Sequence, residues 1–204
     1  MGRLAYMFRK ILLLLLLGSI VISSKAQTAD SLFNKLGDFD LARFNHDNGE
    51  AIRIGEAILP DTAKLAEKMR ISFFGRLAKL YEDDEQDAKA VIYYEKVAAA
   101  APNYYVAQRA LGYLYDKAAE ETHLKLYDTK PNDPAYKGLL DSYKMSVLKA
   151  LPHLEKAQAC DPDDDTLDLI KTLYHNIQDD QGLNSLNDRL STLSKNCIDI
   201  LSDH

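Results

Sequence analysis

Between Phe73 and Tyr115 the chain repeats an apolar pattern after 34 residues: Leu77, Ala78 and Tyr81 return as Leu111, Gly112 and Tyr115. Ala90, Tyr94 and Pro102 lie between the two occurrences, and an acidic stretch over residues 82–87 separates two segments of helical apolar spacing. A period of this length constrains the fold more than any other feature of the sequence. It marks stacked helical pairs, in which each unit buries its apolar face on the next. Apolar residues recur three and four apart along most of the chain, which predicts an all-α fold.

The same pattern orders the rest of the chain. Leu32, Phe33, Leu36, Phe39 and Ala42 predict a first helix interrupted near Gly37, and Ala51, Ile54, Gly55 and Ile58 a second, so residues 28–60 read as a degenerate first repeat. A second unit covers 61–102, with its first helix predicted from Ala63 to Tyr81 and its second over 88–101. The third covers 103–162 and holds about 26 extra residues, because the second-helix pattern returns late, as Ala150, Leu154, Ala157 and Pro162. Pro131 and Pro134 force a turn inside that insertion, which predicts an extended helical hairpin over about 118–144. Pro152 is predicted to kink its second helix. Residues 163–204 then read as a terminal pair, closed by one helix from Leu183 to Leu201 that caps the stack.

The first 26 residues have another character. Arg3, Arg9 and Lys10 precede a nearly continuous apolar run from Ile11 to Ile22, and Ser24-Lys25-Ala26 offers small residues for cleavage before Gln27. This is the pattern of a secretory signal peptide, and the run is short of the roughly 20 apolar residues that span a bilayer. The expected product, residues 27–204, is one exported domain, periplasmic or secreted, with no stable membrane span. The chain has 25 Lys plus Arg and 31 Asp plus Glu; removal of Arg3, Arg9, Lys10 and Lys25 leaves 21 against 31, a net charge of about −10. Such a surface repels nucleic acid. Cys160 and Cys197 are compatible with a disulfide in an oxidising compartment, and equally with two thiols packed as small hydrophobes.

No catalytic, cofactor or metal constellation is legible. The five histidines are scattered, neither Cys has a partner at ligand spacing, and residues 82–85 lack the alternating ligands and central Gly of a calcium loop. The chain therefore reads as a binding module rather than an enzyme.

On Leu77, Ala78, Tyr81, Ala90, Tyr94 and Pro102, and on their counterparts Leu111, Gly112 and Tyr115, the sequence resembles the tetratricopeptide repeat (TPR) family. The resemblance implies a short right-handed α-solenoid of antiparallel helix pairs, with a concave groove that holds a peptide or helix from a partner protein. Carried over position by position, that groove takes Ser72, Gly75, Lys79 and Glu82, then Val106, Arg109, Tyr113 and Asp116, then Asp165, Asp168, Thr172 and His175. Lys79 and Arg109 are the residues expected to meet a carboxylate, Tyr113 to supply a flat contact, and Asp116, Asp168 and Thr172 to complete the face. The Asn and Lys array of the carboxylate-clamp type of TPR domain is absent, which argues against cytoplasmic chaperone tails as ligands. Two other readings stand beside this one: a small-molecule or enzyme pocket between hairpin and groove, using Tyr113, Tyr136 and Tyr143, or self-association of the hairpin through Leu139, Leu140, Tyr143 and Val147.

Overall fold

The computed structural model describes residues 31–198. The signal-peptide expectation, its cut site, Leu201 and His204 lie outside the described residues. The chain divides into two compact units, Met1–Ala66 and Glu67–His204.

In the first unit, residues 31–44 form helix α1 and Asn48–Ile58 form α2, followed by a 3-10 segment, Leu59–Lys64. The expected interruption at Gly37 is absent. Gly37 lies on the exposed side with nothing close to it, and the cost of one exposed glycine, about 1 kcal/mol, does not break a helix anchored by buried neighbours. Those neighbours are Leu32, Leu36, Phe39 and Ala42, which are buried, as are Ala51, Ile52 and Ile58 in the rest of this unit. The helix predicted from Ala63 is also corrected. Pro60 enters the 3-10 segment near its first position, Leu65 turns extended, and α3 begins only at Glu67.

The second unit contains α3 (Glu67–Asp83), α4 (Asp87–Ala100), α5 (Tyr105–Tyr127), α6 (Tyr136–Cys160), α7 (Asp164–Asn176), α8 (Asp180–Asn184) and α9 (Leu186–Leu193). Among the described residues the structure is all-α, with one isolated backbone bridge between Tyr104 and Ile198. Helices pair in chain order, α3 with α4 and α5 with α6, and α6 also packs on α7 and α9. The two central helices run 23 and 25 residues and outgrow α3 and α4, which have 17 and 14. Helix α6 is assigned through Pro152, whose ring nitrogen donates no bond to the carbonyl one turn back.

Three helix corners share one local geometry. His46, Glu85 and Gln178 each take a left-handed backbone conformation, with φ of 59°, 56° and 60°. The next residue then sends its backbone N–H back into the preceding helix: Asp47 to Ala42, Gln86 to Tyr81 and Asp179 to Tyr174. That residue is in each case the N-cap of the following helix. A single left-handed residue between two helices thus ends one, satisfies a terminal carbonyl and starts the next.

The expected single helix from Leu183 to Leu201 is instead two short helices that meet at Ser185, and α9 stops at Leu193. Asp179 fixes the start of α8 by accepting the Gly182 N–H at 2.8 Å. Past α9 the chain runs as a non-helical strap to Cys197, which is joined to Cys160 at the end of α6. Ile198 completes the strap by donating its N–H to the Asn103 carbonyl and accepting that of Tyr105.

Helices α5 and α6 are in close contact at Gly112. A Cβ there would sit 2.6 Å from Leu154 Cδ2 and 3.1 Å from the Leu154 backbone nitrogen. Leu154 belongs to a core that also includes Ala119, Tyr143, Val147, Ile170 and Leu186. Tyr143 and Val147 are therefore packing residues within the chain, and the hairpin's exposed apolar residues are Leu124, Tyr127, Met145 and Leu148. Gly112→Ala is expected to force α5 and α6 apart and lower stability by about 1–3 kcal/mol, less the gain of about 1 kcal/mol in helix propensity. Urea denaturation followed by helical circular dichroism measures the change; a midpoint at or above that of the parent chain contradicts the close packing.

Candidate partner-binding face

The residues the sequence assigns to the groove are largely engaged within the chain. Lys79 on α3 bonds Asp83 one turn on at 2.5 Å and lies 3.8 Å from Glu82. The bond to Asp83 raises its pKa. Arg109 on α5 donates to both the side chain of Asp161, at 2.7 Å, and its backbone carbonyl, at 2.5 Å. Asp161 ends α6, so Arg109 clamps the corner between α6 and α7. Asp168 on α7 bonds Lys171 at 3.1 Å, and Thr172 is exposed beside them.

Tyr113 is bound to the same corner as Arg109. Its hydroxyl lies 2.7 Å from Thr166 Oγ1. The Thr166 hydroxyl donates to Asp163 Oδ1 at 2.8 Å, which leaves the Tyr113 O–H as donor to Thr166. Asp163 also caps α7 by accepting the Thr166 N–H, and that bond holds its carboxyl below the usual range. One edge of the Tyr113 ring is fixed in this way, while 39% of the residue stays exposed, with Val106 two turns earlier on the same face of α5.

Asp116 sits in a different environment. It is half-buried, and burial first and the neighbouring carboxylate of Glu120 second push its pKa upward. Beyond it, His123 stacks on Tyr143 with ring centroids 5.0 Å apart. Burial raises the Tyr143 pKa, and Tyr143 belongs to the core that also holds Ile170 and Leu173 of α7. Arg109 and Tyr113 thus tie α5 to the α6–α7 corner, and Asp116 lies on the same side of α5. Lys79, on α3, is engaged within its own helix.

The most concentrated polar chemistry lies elsewhere, and sequence spacing gave no sign of it. Glu155 on α6 is 4% exposed. Arg189 on α9 grips it with two bonds of 2.6 and 2.8 Å, and Tyr174 on α7 donates to it as well. The remaining Arg189 donors reach Tyr174, the Gly182 carbonyl and Ser185 Oγ. All five guanidinium hydrogens are thus committed. Gly182 is required beside this cluster, because a Cβ there would lie 2.3 Å from the Tyr174 ring. A cavity of about 450 Å³ opens next to it, lined by Pro152, Thr192 and Leu193, but the adjoining Arg189 has no hydrogen left to offer a ligand.

Buried Lys156 holds the end of α9 in a similar way, donating at 2.9 Å to the carbonyls of Leu193 and Asn196. His153 on α6 is half-buried and paired with Gln108 at 2.5 Å. Burial holds its pKa down. Among the described residues no group of three or more His, Cys, Asp or Glu is placed to hold a metal ion, and no helix is long and apolar enough to cross a membrane.

Comparison with protein-family models, with curated proteins and with solved structures gave no match.

Arg189→Met is expected to leave Glu155 buried without its cation and to cost about 3–5 kcal/mol of stability, which Arg189→Lys recovers only in part. Thermal denaturation of the two variants checks this ranking, and equal midpoints for both and the parent chain refute it. Opening the Cys160–Cys197 bond, which closes a loop of sequence separation 37, is expected to cost about 4 kcal/mol through the entropy returned to the unfolded chain. Unfolding of the Cys160→Ala/Cys197→Ala chain against the oxidised parent measures that difference, and no loss of stability would show that the bond constrains nothing.

Proposed function

We propose that this chain is an exported, non-catalytic interaction module of TPR type, a scaffold of the cell envelope that holds a segment of a partner protein. The observation that carries the reading is repetition on two levels. The 34-residue pattern of the sequence coincides with helices that pair in chain order, and the corners at His46, Glu85 and Gln178 share one backbone geometry. In this reading the units are 28–60, 61–102, 103–162 with its extended hairpin, and 163–204, stacked as a right-handed solenoid. Their first helices form the concave face.

Export is supported by the basic and apolar pattern of residues 1–26. It is supported independently by the disulfide between Cys160 and Cys197, since such bonds persist in oxidising compartments. The binding role is supported by where polar chemistry goes. The densest polar cluster is internally satisfied and ties helices together, whereas Val106 and Tyr113 remain exposed on α5, as a contact surface requires.

Photo-crosslinking from positions 106 and 113 in the native cell envelope tests the proposal. A reproducible crosslinked protein, lost when the probe is moved to the buried side of α5, is the expected result. Failure to find any such adduct across growth conditions, with the chain abundant, overturns it.

A further inference from the structure

The exposed face of α5 follows a seven-residue rhythm. Val106, Tyr113, Glu120 and Tyr127 lie seven apart, and Leu124 follows Glu120 by four. On one helix these positions form a single seam, the spacing into which a second helix inserts its side chains. The four apolar members are all exposed, Leu124 at 59% and Tyr127 at 87%, and Glu120 is exposed with them. The other side of the same helix carries Ala107, Leu111 and Leu114 in the core. Helix α5 is therefore apolar on two faces, one of them unpartnered. The seam from residue 106 to 127 is about 32 Å long, and it reaches that length because α5 continues for 23 residues.

Charge selects the occupant. Two cations on α5 are neutralised within the chain, Arg109 by Asp161 at 2.7 Å and Lys117 by Asp87 at 2.6 Å; a third, exposed Lys125, stands about 100° round the helix from Leu124, off the seam. The anions are not: among the described residues no Lys or Arg pairs with Asp116, and Glu120 meets the His123 imidazole at 3.5 Å. Asp116 is also half-buried and destabilised as an anion by its surroundings, a strain that an incoming cation would relieve. A second copy of this acidic chain is a poor occupant, because it would bring like charge to the seam.

We infer that the α5 seam binds a cationic amphipathic helix of a partner protein, its apolar spine against Val106, Tyr113, Leu124 and Tyr127 and its Lys or Arg side chains opposite Asp116 and Glu120. The inference rests on the proposed interaction role of this face and adds the chemistry of the partner and the use of the hairpin's extra length.

Three synthetic 22-residue peptides serve as probes in fluorescence anisotropy with the full chain: a Leu-spined helix flanked by Lys, the same spine flanked by Glu, and a scrambled Lys peptide. The Lys-flanked helix is expected to bind at least tenfold more tightly than either control. Tyr127→Ser and Glu120→Lys are each expected to weaken it tenfold or more, and Glu120→Lys to improve binding of the Glu-flanked helix. Both positions are exposed, and circular dichroism verifies that the variants remain folded. No binding of the Lys-flanked helix, equal binding of the scrambled peptide, or indifference to Tyr127→Ser and Glu120→Lys overturns the inference. So does concentration-dependent dimerisation by light scattering that Tyr127→Ser abolishes. Loss of binding on Tyr113→Ala with none on Tyr127→Ser would confine the partner to a shorter groove, refuting the inference while leaving the interaction role intact; absence of any envelope adduct removes that role itself.

Discussion

The contact of Gly112 with Leu154 sets the spacing on which the larger unit depends. With no side chain at Gly112, the Leu154 side chain and backbone come within van der Waals reach of α5. The longest helix pair among the described residues can then close along its length, burying Ala119, Tyr143 and Val147. That closure fixes the rotation of α5 about its own axis. With Ala107, Leu111 and Leu114 turned inward, Val106, Tyr113, Leu124 and Tyr127 have to face outward. The same rotation brings Arg109 and Tyr113 to the α6–α7 corner, where Asp161 and Thr166 receive them.

The end of the chain is held by polar rather than apolar means. Helices α8 and α9 are short, with 5 and 8 residues, and helices of that length have little stability of their own. Arg189, Lys156 and the disulfide compensate by tying them to α6 from three directions. A buried ion pair adds little net energy compared with well-packed hydrophobes, but it tolerates few alternative arrangements. Glu155 has its bonding partners only when α7 and α9 are both in place, which suits a segment that must dock in one position.

The polar bonds of this unit divide by role. Lys79, Arg109, Lys117 and Lys171 are each matched by a carboxylate of the same chain. A protein with an acidic excess has anions left after such pairing, and on α5 these are Asp116, Glu120 and Glu121, of which the first two border the seam. The two basic residues expected from residue type to meet a partner carboxylate, Lys79 and Arg109, are instead paired with carboxylates of their own chain.

The all-α fold, the pairing of helices in chain order and the greater length of α5 and α6 were legible because periodic burial leaves a periodic record. Leu77, Ala78 and Tyr81, and 34 residues later Leu111, Gly112 and Tyr115, carry that record without reference to any other part of the chain. Helix ends were less legible. Gly37 does not break α1, and the division of the last segment at Ser185 goes with the Asp179 cap and with the contacts of Arg189 to Glu155 on α6, which lie 34 residues apart in the chain. The Glu155–Arg189–Tyr174 cluster joins residues 15 to 34 positions apart on three helices, and the charge balance of the α5 face depends on Asp87 and Asp161 from neighbouring helices. Sequence by itself determined which residues must be buried, since burial follows hydrophobicity and period. Only the tertiary structure decided which charges remain available, since that depends on which side chains distant in the chain come within bonding distance.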